Sequence, residues 1–171
     1  DAFSHVLGYT GQIDQQKLLG NSDYSFGSFV GKMGLEKEYE GILRGQDGKE
    51  LFEVNSQSVT IRKLGTEEPI SGNNLKTTLD LDIQLAVECA MRDVKKGAVV
   101  VSDPGSGAIL AIYSKPSFDT NLFTHPKEYV TDSAYKTVEA ILTDGMSQPM
   151  LDRAISGAYP PGSTFKLVTA V

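Results

Sequence analysis

The chain has 171 residues, of which 40% are hydrophobic and 22% charged, enough apolar content to bury a core of one or two domains. Its formal net charge of -6 offers no basic face for a phosphate backbone, so nucleic acid is not expected as a partner. A single cysteine, Cys89, excludes an internal disulfide, and two histidines as far apart in sequence as His5 and His125 form no recognisable ligand pair; no structural metal and no cofactor are expected.

No run of 18 or more apolar residues occurs, and the N-terminus lacks a basic stretch followed by an apolar one. The last residues, Phe165-Lys-Leu-Val-Thr-Ala-Val171, read as an apolar helical run cut short, so the chain is expected to be a fragment of a longer protein.

The first thirty residues, punctuated by Gly8, Gly11, Gly20 and Gly27, predict loops and short strands. From Gly34 to Leu43, apolar Leu35, Tyr39, Ile42 and Leu43 fall on one helical face, which predicts a short amphipathic helix. Gly45-Gln-Asp-Gly48 reads as a turn into two strands, Leu51 to Val54 and Ser58 to Leu64, whose apolar residues alternate with polar ones. Residues 67–74, Glu-Glu-Pro-Ile-Ser-Gly-Asn-Asn, form a turn-rich connector and the expected domain boundary.

Beyond it, Leu75 to Leu79 predicts a short strand, and Asp80 caps a helix with Ile83, Val87, Ala90, Met91 and Val94 on one face. Cys89 lies beside that stripe and is expected to be a small buried hydrophobe. Ala98 to Val101 and Ala108 to Tyr113 flank Asp103-Pro-Gly-Ser-Gly107, which predicts an antiparallel hairpin. Both arms are apolar throughout, so each is expected to be a central strand packed on both sides. From Lys115 to Asp152 the pattern is irregular, with prolines at 116, 126 and 149, as in a long surface excursion.

Two Ser-x-x-Lys tetrads occur, Ser133-Ala-Tyr-Lys136 and Ser163-Thr-Phe-Lys166, and context separates them. The first lies inside the irregular excursion and is expected to be a decoy. Before the second, Pro160-Pro161-Gly162 is a rigid, non-helical approach, and a helix starting near Ser163 places the hydroxyl among unpaired backbone N–H groups at a positive dipole end. Three residues on, Lys166 shares the helix face and can reach back to the serine oxygen as a general base where burial disfavours its charge. The competing structural reading makes Ser163 an N-cap and Lys166 a solvated first-turn residue.

The motif Ala158-Tyr-Pro-Pro-Gly-Ser163-Thr-Phe-Lys166 resembles the nucleophile motif of class B penicillin-binding proteins, whose signature opens with Ser-x-x-Lys. His5-Val-Leu-Gly-Tyr-Thr-Gly11, Gly34-Leu-Glu-Lys-Glu-Tyr39 with Leu43-Arg-Gly45, and Leu75-Lys-Thr-Thr-Leu-Asp-Leu-Asp-Ile-Gln84 are similar to pedestal and linker motifs of the elongation-type penicillin-binding protein 2 group.

The resemblance implies an α+β fold: a β-rich pedestal at residues 1–74, then the opening strands and helices of an incomplete transpeptidase domain at residues 75–171. It implies a peptidoglycan D,D-transpeptidase in which Ser163 is the catalytic nucleophile, Lys166 its activator and the Ser163 backbone N–H half of the oxyanion hole. The implied partners are peptidoglycan stem peptides, β-lactams, and the glycan-polymerising and scaffold proteins of the elongation complex. The implied location is the extracytoplasmic (periplasmic) side of the cytoplasmic membrane, held by an N-terminal anchor that these residues do not include.

The family's Ser-x-Asn element and Lys-Thr/Ser-Gly strand follow the nucleophile, and neither occurs here after Ser163; Ser71-Gly-Asn73 precedes it and reads as coincidence. The 171 residues alone are therefore expected to be inactive, and residues 75–171 to be unstable or to self-associate through uncovered strand edges and apolar faces unless another chain supplies the rest. Two other readings compete: a class D-like serine β-lactamase or β-lactam sensor, disfavoured by the long segment before residue 75, and a non-catalytic interaction module of the cell-wall synthesis complex.

Overall fold

The computed structural model describes residues 1–20, 24–125 and 129–170. It is α+β, as the sequence predicts, and separates into two compact units: Leu7–Thr77, and Asp1–Val6 with Thr78–Val171. The chain opens on a short helix, α1 (Ser4–Leu7), whose first residues belong with the second half of the chain.

The Leu7–Thr77 unit begins with β1 (Thr10–Gln12), the short helix α2 (Gln15–Leu19) and β2 (Phe29–Gly31); β1 and β2 pair antiparallel, Gly11 opposite Val30. The expected loops and strands of the first thirty residues thus also contain two short helices. Val30 is almost wholly buried. Gly8, at φ +79°, lies so close to the Met33 carbonyl that a Cβ would stand 1.8 Å from its oxygen, so only glycine fits this crossing.

The amphipathic helix expected over 34–43 is two helices, α3 (Gly34–Glu38) and α4 (Glu40–Leu43), broken at Tyr39. None of their residues is fully buried, and Ile42 is exposed, so the apolar stripe is only partly covered. After Gly45, Gln46 bridges Ile70, and β3 (Lys49–Val54) pairs antiparallel with β4 (Thr60–Glu67). β3 starts two residues earlier than predicted and β4 is shifted toward Glu67; polar cross-strand pairs, Glu50 with Lys63 at 2.5 Å and Glu53 with Arg62 at 2.6 Å, link the two. Leu51, Phe52, Val54, Val59, Ile61 and Leu64 are all exposed on this ribbon.

Residues 75–79, which cross from one unit into the other, form no strand, contrary to expectation. The Thr78 hydroxyl donates to the Ile109 carbonyl and the Asp80 N–H to that of Leu110, without the repeated pairing that makes a ladder. Asp80 does cap α5 (Leu81–Ala90), accepting from the Ile83 N–H at 3.0 Å. Met91 is buried as expected, but Cys89 is exposed, corrected from its expected burial; its sulfur accepts from Arg92 at 3.5 Å.

The predicted hairpin is β5 (Gly97–Ser102) and β6 (Ile109–Lys115), antiparallel with Val100 opposite Ile112. The turn is fastened by Asp103, which accepts from the Ser106 hydroxyl and from the Gly105 and Ser106 N–H groups; these bonds hold its carboxyl below the ordinary carboxylate range. The two arms differ. Ala111, Tyr113 and Ser114 of β6 are buried, whereas Ala98, Val100 and Ser102 of β5 are exposed, so β5 is not packed on both sides among the described residues.

The segment from Lys115 to Asp152 departs most from expectation. It contains α6 (Asn121–Thr124) and α7 (Val138–Thr143), and its Phe118, Leu122, Ile141 and Pro149 are among the most deeply buried side chains. Pro116, joined to Lys115 by a cis peptide, begins it, and Pro126 lies outside the described residues. Phe118 packs edge-on against both His5 and Phe123, with ring centroids 5.3 and 5.8 Å apart. This is core without periodicity: loops held by side-chain bonds bury single apolar residues.

Candidate functional site

Pro160 and Pro161 lead into a 3-10 helix, Gly162–Phe165, continued by α8 (Lys166–Thr169). Gly162 has φ +56°, a conformation that glycine adopts without the Cβ penalty. The Lys166 N–H donates to the Ser163 carbonyl, the i to i+3 bond of a 3-10 turn, and in that geometry side chains three apart lie over one another. Ser163 and Lys166 therefore stand along one edge of the turn. Both are exposed, and no hydrogen bond joins the Ser163 hydroxyl to the Lys166 ammonium among the described residues. Among the described residues this stretch is one 3-10 turn followed by one α-turn.

Ser133 and Lys136, the other tetrad, lie outside any helix, Lys136 directly before Thr137, the N-cap of α7. Ser133 is buried, with a hydroxyl that lacks a hydrogen-bond partner among the described residues, and Lys136 donates to the Thr131 carbonyl at 2.7 Å. Each is held by the 119–136 loop and no turn aligns them. The loop's hub is Asp119, which accepts from Thr131 at 2.6 Å, Tyr129 at 2.8 Å and the N–H and side-chain amide of Asn121 at 3.0 Å. Burial alone would raise the Asp119 carboxyl, but these donors outweigh it and hold it below its ordinary value.

An open cleft of about 400 Å3 is bordered by Lys96, Leu151, Arg153, Ser156, Ala158 and Tyr159. Arg153 is buried, and its guanidinium donates to the carbonyls of Ser147 at 2.5 Å, Gln148 at 3.0 Å and Leu151 at 3.4 Å. Ser114 of β6 reaches the same loop: its hydroxyl donates to the Leu151 carbonyl at 3.2 Å and accepts from the Arg153 N–H at 2.9 Å. From the N-terminal segment, His5 donates through Nε2 to the Pro149 carbonyl at 2.7 Å. Burial pushes the His5 imidazole below its ordinary pKa of 6.5, against the upward pull of that bond and of Asp152.

Sequence reasoning singled out Ser163 and Lys166 as candidates, but it did not mark Arg153, Ser114 or His5 as residues that bond the loop backbone. Each is a polar side chain serving loop or strand-edge backbone, and no spacing rule marks such a residue. Proximity to the Pro-Pro-Gly approach was the only available signal for Arg153.

Residues 1–77 match the penicillin-binding protein dimerisation domain, and residues 97–171 the penicillin-binding protein transpeptidase domain. The peptidoglycan D,D-transpeptidases MrdA of Acinetobacter baumannii and Escherichia coli K12 are 39% and 38% identical, over 100% and 99% of this chain but 25% and 26% of their own lengths. Among solved structures, a complex of penicillin-binding protein 2 with MreC from Helicobacter pylori aligns with TM-score 0.72 and 29% identity, covering 98% of this chain and 30% of that one. A chain of a peptidoglycan synthase complex that coordinates polymerisation and crosslinking aligns with TM-score 0.74 and 35% identity, again over 98% and 30%. The chain belongs to the penicillin-binding proteins, in the class B, penicillin-binding protein 2 group. It spans about a quarter of the length of the curated relatives it matches.

Proposed function

We propose that these residues belong to a peptidoglycan D,D-transpeptidase in which Ser163 is the acylated nucleophile and Lys166 its activator. The observation that carries the reading is the 3-10 turn at Gly162–Phe165, which puts both side chains on one edge directly after a rigid Pro-Pro approach. Lys166 acts as the base, taking the proton as the Ser163 oxygen attacks the carbonyl of the penultimate D-alanine of a stem peptide. The Ser163 N–H, in the first helical turn where no intrahelical partner exists, donates to the developing oxyanion. The proton passes to the leaving D-alanine nitrogen as the C–N bond breaks. An amine of a neighbouring stem peptide then attacks the ester, forms the cross-link and returns Ser163 to its free hydroxyl. A β-lactam, which resembles the D-Ala-D-Ala terminus, acylates the same oxygen.

The Leu7–Thr77 unit serves a different purpose in this reading, as a pedestal that contacts the other proteins of the wall-synthesis complex. Supporting it are the six exposed apolar side chains of the β3–β4 ribbon and the likeness to chains solved with MreC and within a peptidoglycan synthase complex. No described helix is long and apolar enough to cross a membrane, so attachment on the extracytoplasmic face of the cytoplasmic membrane would require a segment beyond these residues.

The test is cross-linking by the natural full-length protein supplied with glycan strands bearing stem pentapeptides. Release of one D-alanine per cross-link, blocked by penicillin and abolished in Ser163→Ala, is the expected result. Unchanged cross-linking by Ser163→Ala would refute the assignment, and hydrolysis of penicillin with repeated turnover would favour a β-lactamase.

A further inference from the structure

Ten residues before the proposed nucleophile, a buried cation and a buried hydroxyl hold one loop from two sides. The Arg153 guanidinium caps the carbonyls of Ser147, Gln148 and Leu151, while Ser114, only 1% exposed in the middle of the hairpin unit's core, inserts its hydroxyl between the Leu151 carbonyl and the Arg153 N–H. Carbonyls pointing into one such cage would repel one another without the donors. Gln148 sits at φ +49°, a conformation rarely adopted outside glycine, which shows how tightly the loop is determined by what it binds.

The order is carried forward along the chain. The Asp152 carboxylate accepts from the Ala154 N–H at 2.9 Å and its carbonyl from the Ser156 N–H at 2.8 Å. At Gly157 a Cβ would stand 2.6 Å from the Arg153 carbonyl oxygen and 2.5 Å from the Tyr159 ring, so backbone, ring and loop are in direct contact there. Tyr159 is followed at once by the stiff Pro160-Pro161 pair and by Ser163. Hydrogen bonds thus run from β6 through Ser114 to Arg153, the backbone at Gly157 packs close to Arg153 and Tyr159, and from Tyr159 the covalent chain through Pro160-Pro161-Gly162 leads to Ser163.

We propose that Arg153 and Ser114 are positioning residues for Ser163, fixing the loop from which the Pro-Pro approach springs and so setting where the serine oxygen stands relative to a bound acyl donor. This rests on the reading of Ser163 as the nucleophile. Loss of either residue should leave ligand recognition largely intact and slow the covalent step, because a displacement of about 1 Å at a reacting atom costs up to about a hundredfold in rate.

The experiment uses the natural full-length protein and a fluorescent penicillin, with the noncovalent dissociation constant and the limiting acylation rate separated by varying ligand concentration. Peptide mapping of the labelled wild type at Ser163 tests the underlying reading independently. In Ser114→Ala and Arg153→Met, the acylation rate should fall about ten- to a hundredfold while the dissociation constant changes less than about threefold. Arg153→Lys, which keeps the charge and some donors, should fall between wild type and Arg153→Met. Ser114→Ala removes a single oxygen and guards against a variant that merely fails to fold. Wild-type acylation rates in folded Ser114→Ala and Arg153→Lys would overturn the proposal, as would losses matched in full by the fraction of protein that circular dichroism shows unfolded.

Discussion

The side-chain amide of Gln84 pairs with the backbone of Ile112 as a neighbouring strand would: its oxygen accepts from the Ile112 N–H at 2.9 Å and its nitrogen donates to the Ile112 carbonyl at 2.9 Å. The same nitrogen donates to the Ala2 carbonyl at 2.5 Å, and the side chain is fully buried. Because both Ile112 groups face away from β5, Gln84, with Asp80 bonded at Leu110, covers the outer edge of β6. The edge through which self-association was expected is thus partly occupied by the chain itself.

Gln84→Ala should therefore destabilise the hairpin unit by about 2–3 kcal/mol, since it strands three backbone groups, the Ile112 N–H and the Ile112 and Ala2 carbonyls, and leaves a cavity. Gln84→Glu should be worse near neutral pH, where a carboxylate would face the Ile112 and Ala2 carbonyls without a donor. Its deficit relative to wild type should shrink as pH falls and the carboxyl protonates. Denaturant unfolding of both variants at two pH values checks this; a pH-independent Gln84→Glu deficit would contradict it.

His5 makes the stability of the same unit pH-dependent. Its folded pKa lies below the ordinary 6.5, so on acidification the unfolded chain takes up a proton first. The contribution is complete above about 6.5 and is lost as pH falls from there through the lower folded value. His5→Gln, whose amide can still donate to the Pro149 carbonyl, should flatten this part of the profile. Melting temperatures between pH 8 and 5 give the comparison, and parallel curves for wild type and variant would count against it.

Asp119→Ala should cost about 1–2 kcal/mol, through loss of hydrogen bonds to a charged acceptor at a partly exposed site. As the folded carboxyl is held below its ordinary 3.8, its contribution is present above that value and disappears as pH falls through the lowered one. Hydrogen exchange should show the damage concentrated between residues 119 and 133. Unchanged protection there would exclude the hub role.

Two glycines four residues apart should respond with opposite signs. Gly45 has φ +74°, and a Cβ there would stand 2.2 Å from the Ile70 carbonyl oxygen, so Gly45→Ala should destabilise the Leu7–Thr77 unit by at least about 2 kcal/mol. Gly41 lies inside α4 with open space about it, so Gly41→Ala should stabilise that helix by about 0.5–1 kcal/mol. Limited proteolysis rates at residues 40–75 distinguish the two; equal effects would contradict the backbone argument.

Elements with a local cause were legible in the sequence. Asp80 before an apolar stripe gave α5, and Asp103-Pro-Gly-Ser-Gly107 between apolar runs gave the β5–β6 hairpin. The Pro-Pro-Gly approach marked the turn at Ser163. What was missed depends on contacts distant in sequence. Phe118, Leu122, Ile141 and Pro149 have no common period, and they are buried because Asp119, Arg153 and Ser114 tie their loops down. Cys89 sat beside an apolar stripe, but its flank of α5 faces outward among the described residues. Leu75 to Leu79 had strand-forming residues, yet only Thr78 and Asp80 meet β6, and two bonds do not make a ladder.

The most direct test of the central claim is peptide mapping by mass spectrometry of the natural full-length protein after incubation with penicillin, beside Ser163→Ala. The account predicts one stable penicilloyl adduct, on the peptide containing Ser163, and none in the variant. An adduct on the peptide containing Ser133, or an adduct that persists in Ser163→Ala, would contradict it.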